Sequence, residues 1–334
     1  MGPLAPAGIL RAALAHPAAQ ATAIALASVA LRAPFLSVPL ITDEGGYGYV
    51  AHWLGRGLAL YRDLWFDRPQ AIFLLYRIQM HLLGESTEAI RLGAALYNAA
   101  TALVVFALGS ALGGRRAGGV AAGGFAVWSA APALEGFTAN GELYMALPVV
   151  LSILAAVRRR WLLSGVAAGL ACMVKPTAAL SLGPALAVLL AWRPAALQPA
   201  LRCAMGGACA VGPFVAHGLL TDAAQYWYSV VGFRVSAHSA FSVGEALLAD
   251  LRQTAPTALA AGAPLWALAA LGVAKSWRTR QGAAITALLA GAIAGAAAGG
   301  YWYWHYYAGL VPGAALAAGM ACARQGSPWG SRRA

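Results

Sequence analysis

The apolar residues of this 334-residue chain come in blocks of about 15 to 22, separated by short charged or Gly/Pro-rich breaks. A helix of that length crosses a hydrocarbon core about 30 Å thick. Within lipid every backbone polar group must be paired internally, so long apolar blocks of this kind fold as helices. Composition agrees, because 60% of the residues are hydrophobic and only 10% charged, against about a quarter charged in soluble domains. The expected fold class is all-α: one polytopic membrane helical bundle rather than several soluble domains.

About ten transmembrane helices are expected, at about 17–37, 89–112, 117–134, 143–157, 161–175, 176–192, 203–220, 256–274, 282–300 and 306–323, in a single transmembrane domain over 1–334. With the N-terminus inside, the cytoplasmic segments hold Arg11, Arg115, Arg116, Arg158, Arg159, Arg160, Arg193, Arg202, Lys275, Arg278, Arg280, Arg324, Arg332 and Arg333, fourteen of the 23 basic residues. Outer segments hold Arg56, Arg62, Arg68, Arg77, Arg91, Arg234 and Arg252, which leaves Arg32 and Lys175 in or near the membrane. Basic clusters of this kind set topology, so the net charge of +12 marks orientation rather than affinity for nucleic acid. Both termini are then cytoplasmic, and the large loops at 38–88 and 221–255 lie outside, as in a bacterial inner-membrane protein.

All 11 acidic residues fall in segments assigned outside. Carboxylates contribute little to orientation, so their one-sidedness points to an acidic outer surface or cavity. The region 161–192 also admits one long helix, but that would invert every later loop and carry Asp222, Glu245 and Asp250 inside. A cleaved signal peptide is the rival reading of the first apolar run, and nine further spans favour an uncleaved anchor. In the first outer loop, Tyr47 to Leu60 and Pro69 to Leu83 are amphipathic or too short to span, and are expected to lie as interfacial helices in the membrane plane.

Cys172, Cys203, Cys209 and Cys322 form no CxxC pair and have no ligand set beside them, so they read as packing residues and no metal site is expected. No nucleotide-binding glycine loop is visible, and no cofactor is expected.

Five clusters are able to carry chemistry. Asp43-Glu44 directly follows the first span, where a base for group transfer at the membrane edge would sit, although a solvated loop start also explains it. Tyr61-Arg62-Asp63 through Arg68-Pro69 mixes both charge signs with aromatics. Arg68 suits forked binding of a phosphate, the plain alternative being an interfacial anchor. Glu142, after Asn140-Gly141, opens a helix where the dipole alone favours a carboxylate. Lys175, before Pro176, is an ionisable group at membrane depth and so a functional candidate, unless it snorkels to the interface. Gly300 to Tyr307 reads as an aromatic belt, whose rings also suit stacking on sugars, and His305 is able to donate to a phosphate.

In this order, Asp43-Glu44, Tyr61-Arg62-Asp63, Arg68-Pro69, Asn140 to Met145, Lys175-Pro176-Thr177 and His305-Tyr306 with Pro312 resemble the membrane-embedded GT-C glycosyltransferases. The resemblance is to the group of protein O-mannosyltransferases and aminoarabinose transferases that use polyprenyl-phosphate sugars, and it covers roughly residues 20–323. It implies that Asp43 is the acceptor-activating base or its orienting partner, with Glu44 beside it and Glu142 as a second acidic residue. The group's frequent Lys-Pro-Pro stands here as Arg68-Pro69-Gln70, which keeps the charge and drops the second proline.

The expected function is inverting transfer of a sugar from a polyprenyl-phosphate donor to a glycan, lipid or protein acceptor on the outer face. Asp43, Glu44 and Glu142 are the catalytic candidates; Arg62, Asp63, Arg68, Lys175, His305 and Tyr306 are those for the substrate and its phosphate. Membrane lipids are expected partners, nucleic acid is not, and there is room for a membrane-protein partner. A transporter or flippase of a lipid-linked substrate, or a non-catalytic lipid-binding subunit, are the alternatives. The first would predict pseudo-symmetric halves with matching broken spans, which the sequence does not display.

Overall fold

A computed structural model describes residues 17–193, 195–240, 243–298 and 300–323. Arg11, Arg324, Arg332 and Arg333, which support the inward assignment of the termini, lie outside the described residues. The described chain is helical, with no strand, in a multi-pass bundle.

Helix α1 (Pro17–Ala30) ends in a short 3-10 turn. The first large loop then folds as two helices, α2 (Thr42–Leu54) and α3 (Ala71–Leu83), which pack on each other. One face of each is sealed inward, with Tyr47, Phe73 and Tyr76 almost fully buried, while Leu74, Ile78 and Leu82 stay exposed. That two-faced pattern matches helices lying against the bundle at the interface.

Helices α4 (Thr87–Gly113), α5 (Arg115–Trp128), α6 (Gly141–Val157), α7 (Trp161–Val174) and α8 (Ala178–Ala191) follow, joined by short turns except between α5 and α6, where residues 129–140 form a longer connection with a 3-10 turn at Pro132–Leu134. Between α7 and α8 the chain reverses at Lys175-Pro176. Lys175 is extended, with φ −147° and ψ 115°, the conformation a following proline imposes. Arg193, just past α8, stacks 5.3 Å from the Trp161 ring at the start of α7. One continuous helix would hold those two residues about 48 Å apart, so 161–192 is a hairpin.

Helix α9 (Leu197–Trp227) lies along α7, and a π-turn (Tyr228–Gly232) joins it to α10 (Phe233–Ala240). Helices α11 (Val243–Ala261) and α12 (Ala263–Ser276) meet at 84°. The stretch 221–255, expected as a loop, is therefore largely helical. Its charges are spread over three helices: Asp222 at a kink within α9, Arg234 on α10, and Glu245, Asp250 and Arg252 on α11. Helices α13 (Arg280–Ala297) and α14 (Tyr306–Ala321) complete the bundle.

Helix α14 is its centre, buried over almost its whole length and touching α4, α5, α6, α12 and α13. Its Ala/Gly-rich sequence allows neighbouring backbones to approach closely, which is how membrane helices pack without a hydrophobic driving force. By length and composition, Ala18–Phe35, Thr87–Gly113 and Leu197–Ser236 are able to cross a bilayer alone, and the bent pair α11–α12 is able to do so as one broken span.

Candidate functional site

A cavity of about 490 Å³ opens where the start of α2, the loop before α3, the turn before α6 and the segment before α14 meet. Asp43 and Glu44 are adjacent on α2, so helical geometry turns them to different sides. Asp43 lines the cavity with its carboxylate one third exposed. Its Oδ2 accepts a hydrogen bond from Tyr47 Oη at 3.4 Å and lies 3.8 Å from His305 Nε2. Burial pushes the Tyr47 hydroxyl well above its ordinary pKa, so it serves as a neutral donor.

Glu44 turns inward and is fully buried. Its Oε2 accepts from Arg91 Nη2 at 2.8 Å and from the Ile41 N–H at 3.0 Å, and its Oε1 accepts from the Ala139 N–H at 2.5 Å. Glu44 therefore ties α2 to the turn that launches α6. Both of its carboxylate oxygens are engaged by protein groups, and Glu44 is not part of the cavity lining.

Arg68 lines the same cavity as Asp43. Its carbonyl is held by Tyr61 Oη at 2.9 Å, and its guanidinium pairs with Asp67 Oδ2 at 3.1 Å. Arg234, from α10, bonds the same Asp67 oxygen. Burial disfavours the Arg68 charge, the carboxylates of Asp67 and Asp43 beside it favour it, and its pKa is held above the ordinary value. Its Nε is buried without a partner among the described residues.

His305 joins the two acidic sides of the cavity. It is 8% exposed; its Nδ1 sits 3.2 Å from Glu135 Oε2 and its ring stacks on Tyr303. Glu135 occupies the left-handed region at φ 46°, a conformation that is strained for a non-glycine residue. The turn bearing it is clamped by the buried Arg32, whose Nη2 donates to the Ser129 carbonyl at 2.5 Å and the Gly136 carbonyl at 2.7 Å.

Behind Tyr306 a crevice of about 10 Å³ is walled by Glu142 and Lys175. These two side chains form a buried ion pair, and Lys175 Nζ rests 4.2 Å from the centre of the Tyr306 ring. Tyr306 thus lines both spaces, with Lys175 reaching its far side. The plain reading of Glu142 as a helix-start carboxylate misses this partner.

Asp43, Arg68, Glu142, Lys175, His305 and Tyr306 are therefore gathered at one end of the bundle. Arg62 and Asp63 are not: they pair with each other at 2.9 Å on the surface, outside the cavity wall. Asp67, Glu135 and Arg234 line the cavity without having been singled out as site residues. Asp67 was legible, lying inside the charged motif before Arg68. Glu135 and Arg234 carry no local signal, because each reaches the site only through the tertiary fold. Among the described residues no group of three or more His, Cys, Asp or Glu side chains has the arrangement of a metal site.

Residues 67–217 match the family model described as dolichyl-phosphate-mannose-protein mannosyltransferase. No curated protein matches the chain. Among solved structures, ArnT from Cupriavidus metallidurans, crystallised bound to undecaprenyl phosphate, is similar with a TM-score of 0.70 at 16% identity. The match covers 98% of this chain and 62% of ArnT, so the chain spans less than two thirds of that protein's length. The chain thus shares the fold of ArnT, and its segment 67–217 is similar to the mannosyltransferase family model, in agreement with the resemblance that its motifs carry.

Proposed function

We propose that the chain is a membrane glycosyltransferase that moves a sugar from a polyprenyl-phosphate donor to an acceptor bound in the same cavity, with inversion. The observation that carries this reading is that an accessible carboxylate, Asp43, and a partly unpaired arginine, Arg68, line one cavity at the bundle's end. Such a cavity lets a donor keep its tail in lipid while its head enters the site. Asp43 accepts the proton of the acceptor hydroxyl as that oxygen attacks the anomeric carbon. Arg68, with Arg234 beside it, faces the phosphate oxygens on which negative charge grows as the glycosidic bond breaks. Lys175 adds positive charge from behind Tyr306, and Glu142 holds it there. Tyr303 and its aromatic neighbours supply faces for a sugar ring.

The site faces the outside of a bacterial inner membrane in this reading, with both termini cytoplasmic, because the basic clusters lie at the other end. A glycan, lipid or protein acceptor is compatible with an open cavity. Purified protein incubated with a panel of labelled polyprenyl-phosphate sugars and membrane extract as acceptor source tests the proposal. Transfer of label from the lipid to a second molecule is expected. Tight retention of intact labelled donor without transfer would instead identify a lipid-holding subunit.

A further inference from the structure

Three arginines from three separate elements meet at the end of the bundle away from the cavity. Helices α7 and α8 share the Lys175 turn at one end, and α13 brings Gly295 to within van der Waals reach of Thr177 there. Their other ends lie about 20 Å away. Arg159 sits in the turn before α7 at φ 62°. Arg193 follows α8 and stacks on Trp161, the first residue of α7. Arg280 opens α13, and its Nη2 donates to the Leu189 carbonyl in the last turn of α8 at 2.6 Å. Arg193 feels the charge of Arg159, and Arg280 that of both.

No carboxylate answers them, since the sequence has no Asp or Glu in 113–134 or 143–221, nor anywhere from 251 to the end. Donors are in surplus as well. Trp161 is 3% exposed, yet among the described residues its indole N–H has no partner, and the Nε atoms of Arg193 and Arg280 are buried without one. Helix α7 begins with no side-chain cap, which leaves N–H groups of its first turn open to an anion. The tendency of basic residues to collect on one membrane face explains a spread of charge there. It does not explain three guanidinium groups drawn together against their mutual repulsion beside unpaired donors.

We propose that Arg159, Arg193 and Arg280, with the Trp161 N–H, form a binding site for one phosphate group of net negative charge. Guanidinium forks match phosphate oxygens in pairs. Trp192 and Trp277 are exposed at this end and set it at headgroup level, where an anionic phospholipid or a free phosphate supplies the ligand.

Delipidated full-length protein titrated with phosphatidylglycerol, phosphatidylcholine or inorganic phosphate, read by native mass spectrometry and thermal unfolding, tests this. One phosphatidylglycerol should bind preferentially over phosphatidylcholine, or inorganic phosphate alone should raise the unfolding temperature; the first result identifies a lipid ligand and the second a free one. Arg193→Gln combined with Arg280→Gln should weaken that binding by about tenfold or more, whereas Arg115→Gln with Arg116→Gln should leave it unchanged. Arg159→Gln, at an exposed turn, should weaken it by about fivefold and serves if the double variant does not fold. Equal losses from the Arg115 and Arg116 control, no loss from any variant, or indifference to all three ligands overturns the proposal.

Discussion

Asp43 and Glu44 are chemically alike and adjacent, yet the fold gives them opposite tasks: one faces a cavity, the other is enclosed by Arg91 and two backbone N–H groups. Glu44→Gln leaves Arg91 buried without its counter-charge, and is expected to cost about 3–5 kcal/mol of stability. A thermal unfolding series on the purified protein checks it. The same reasoning applies to Glu142 and Lys175. A helix-start carboxylate with no partner would cost only about 0.3–1 kcal/mol to neutralise. Buried against Lys175, Glu142→Gln should instead cost about 3–5 kcal/mol, and Lys175→Met a similar amount. The double variant Glu142→Gln with Lys175→Met should recover part of that loss, because no lone charge is left inside. A double variant no more stable than either single one would show that the pair is not coupled. Lys175 was visible in the sequence as a charge in an apolar block, but its partner lies 33 residues away and nothing local names it.

At the scale of elements, spacing and apolar block length were enough to place most helices, and Lys175-Pro176 marked the sharp reversal between α7 and α8. The helices within 221–255 were not legible, because charged residues at helical spacing look the same as a polar loop when the face they cover is unknown. The packing of α7 on α9 was not legible either. It depends on Gly165 and Gly206, where an added methyl group would run into the backbone at Cys203 and at Leu162, respectively. Gly165→Leu is expected to force the two helices apart and destabilise the protein by about 1–3 kcal/mol. Denaturation of the purified variant in detergent measures this, and Gly183→Leu, with open space at its Cβ, is the control that should change little.

For the whole molecule, the division of charge along the sequence becomes a division between the two ends of the bundle. Asp43, Asp67 and Glu135 line the cavity, and Arg159, Arg193 and Arg280, with no carboxylate near them in sequence, lie at the other end. In the proposed orientation a cysteine introduced at Gln225, an exposed position near the cavity end of α9, reacts with a membrane-impermeant thiol reagent on intact spheroplasts. One introduced at Arg115 reacts only after disruption. The opposite pattern would place the cavity in the cytoplasm and remove the outer-face reading. The sequence order of motifs was enough to suggest the fold group, because that order follows the helices. It did not reveal which side chains face one another, since the cavity joins residues 43, 68, 135, 234 and 305.

The central claim is that the cavity performs sugar transfer with Asp43 as the base. It is tested most directly by the rate at which label leaves a polyprenyl-phosphate sugar for the acceptor in Asp43→Asn, compared with the parent protein under single-turnover conditions. Asparagine keeps the shape and removes the proton acceptor, so the transfer rate should fall by about 10² to 10⁴-fold while binding of the labelled donor and the unfolding temperature stay near the parent values. Transfer by Asp43→Asn within a few-fold of the parent would contradict the account.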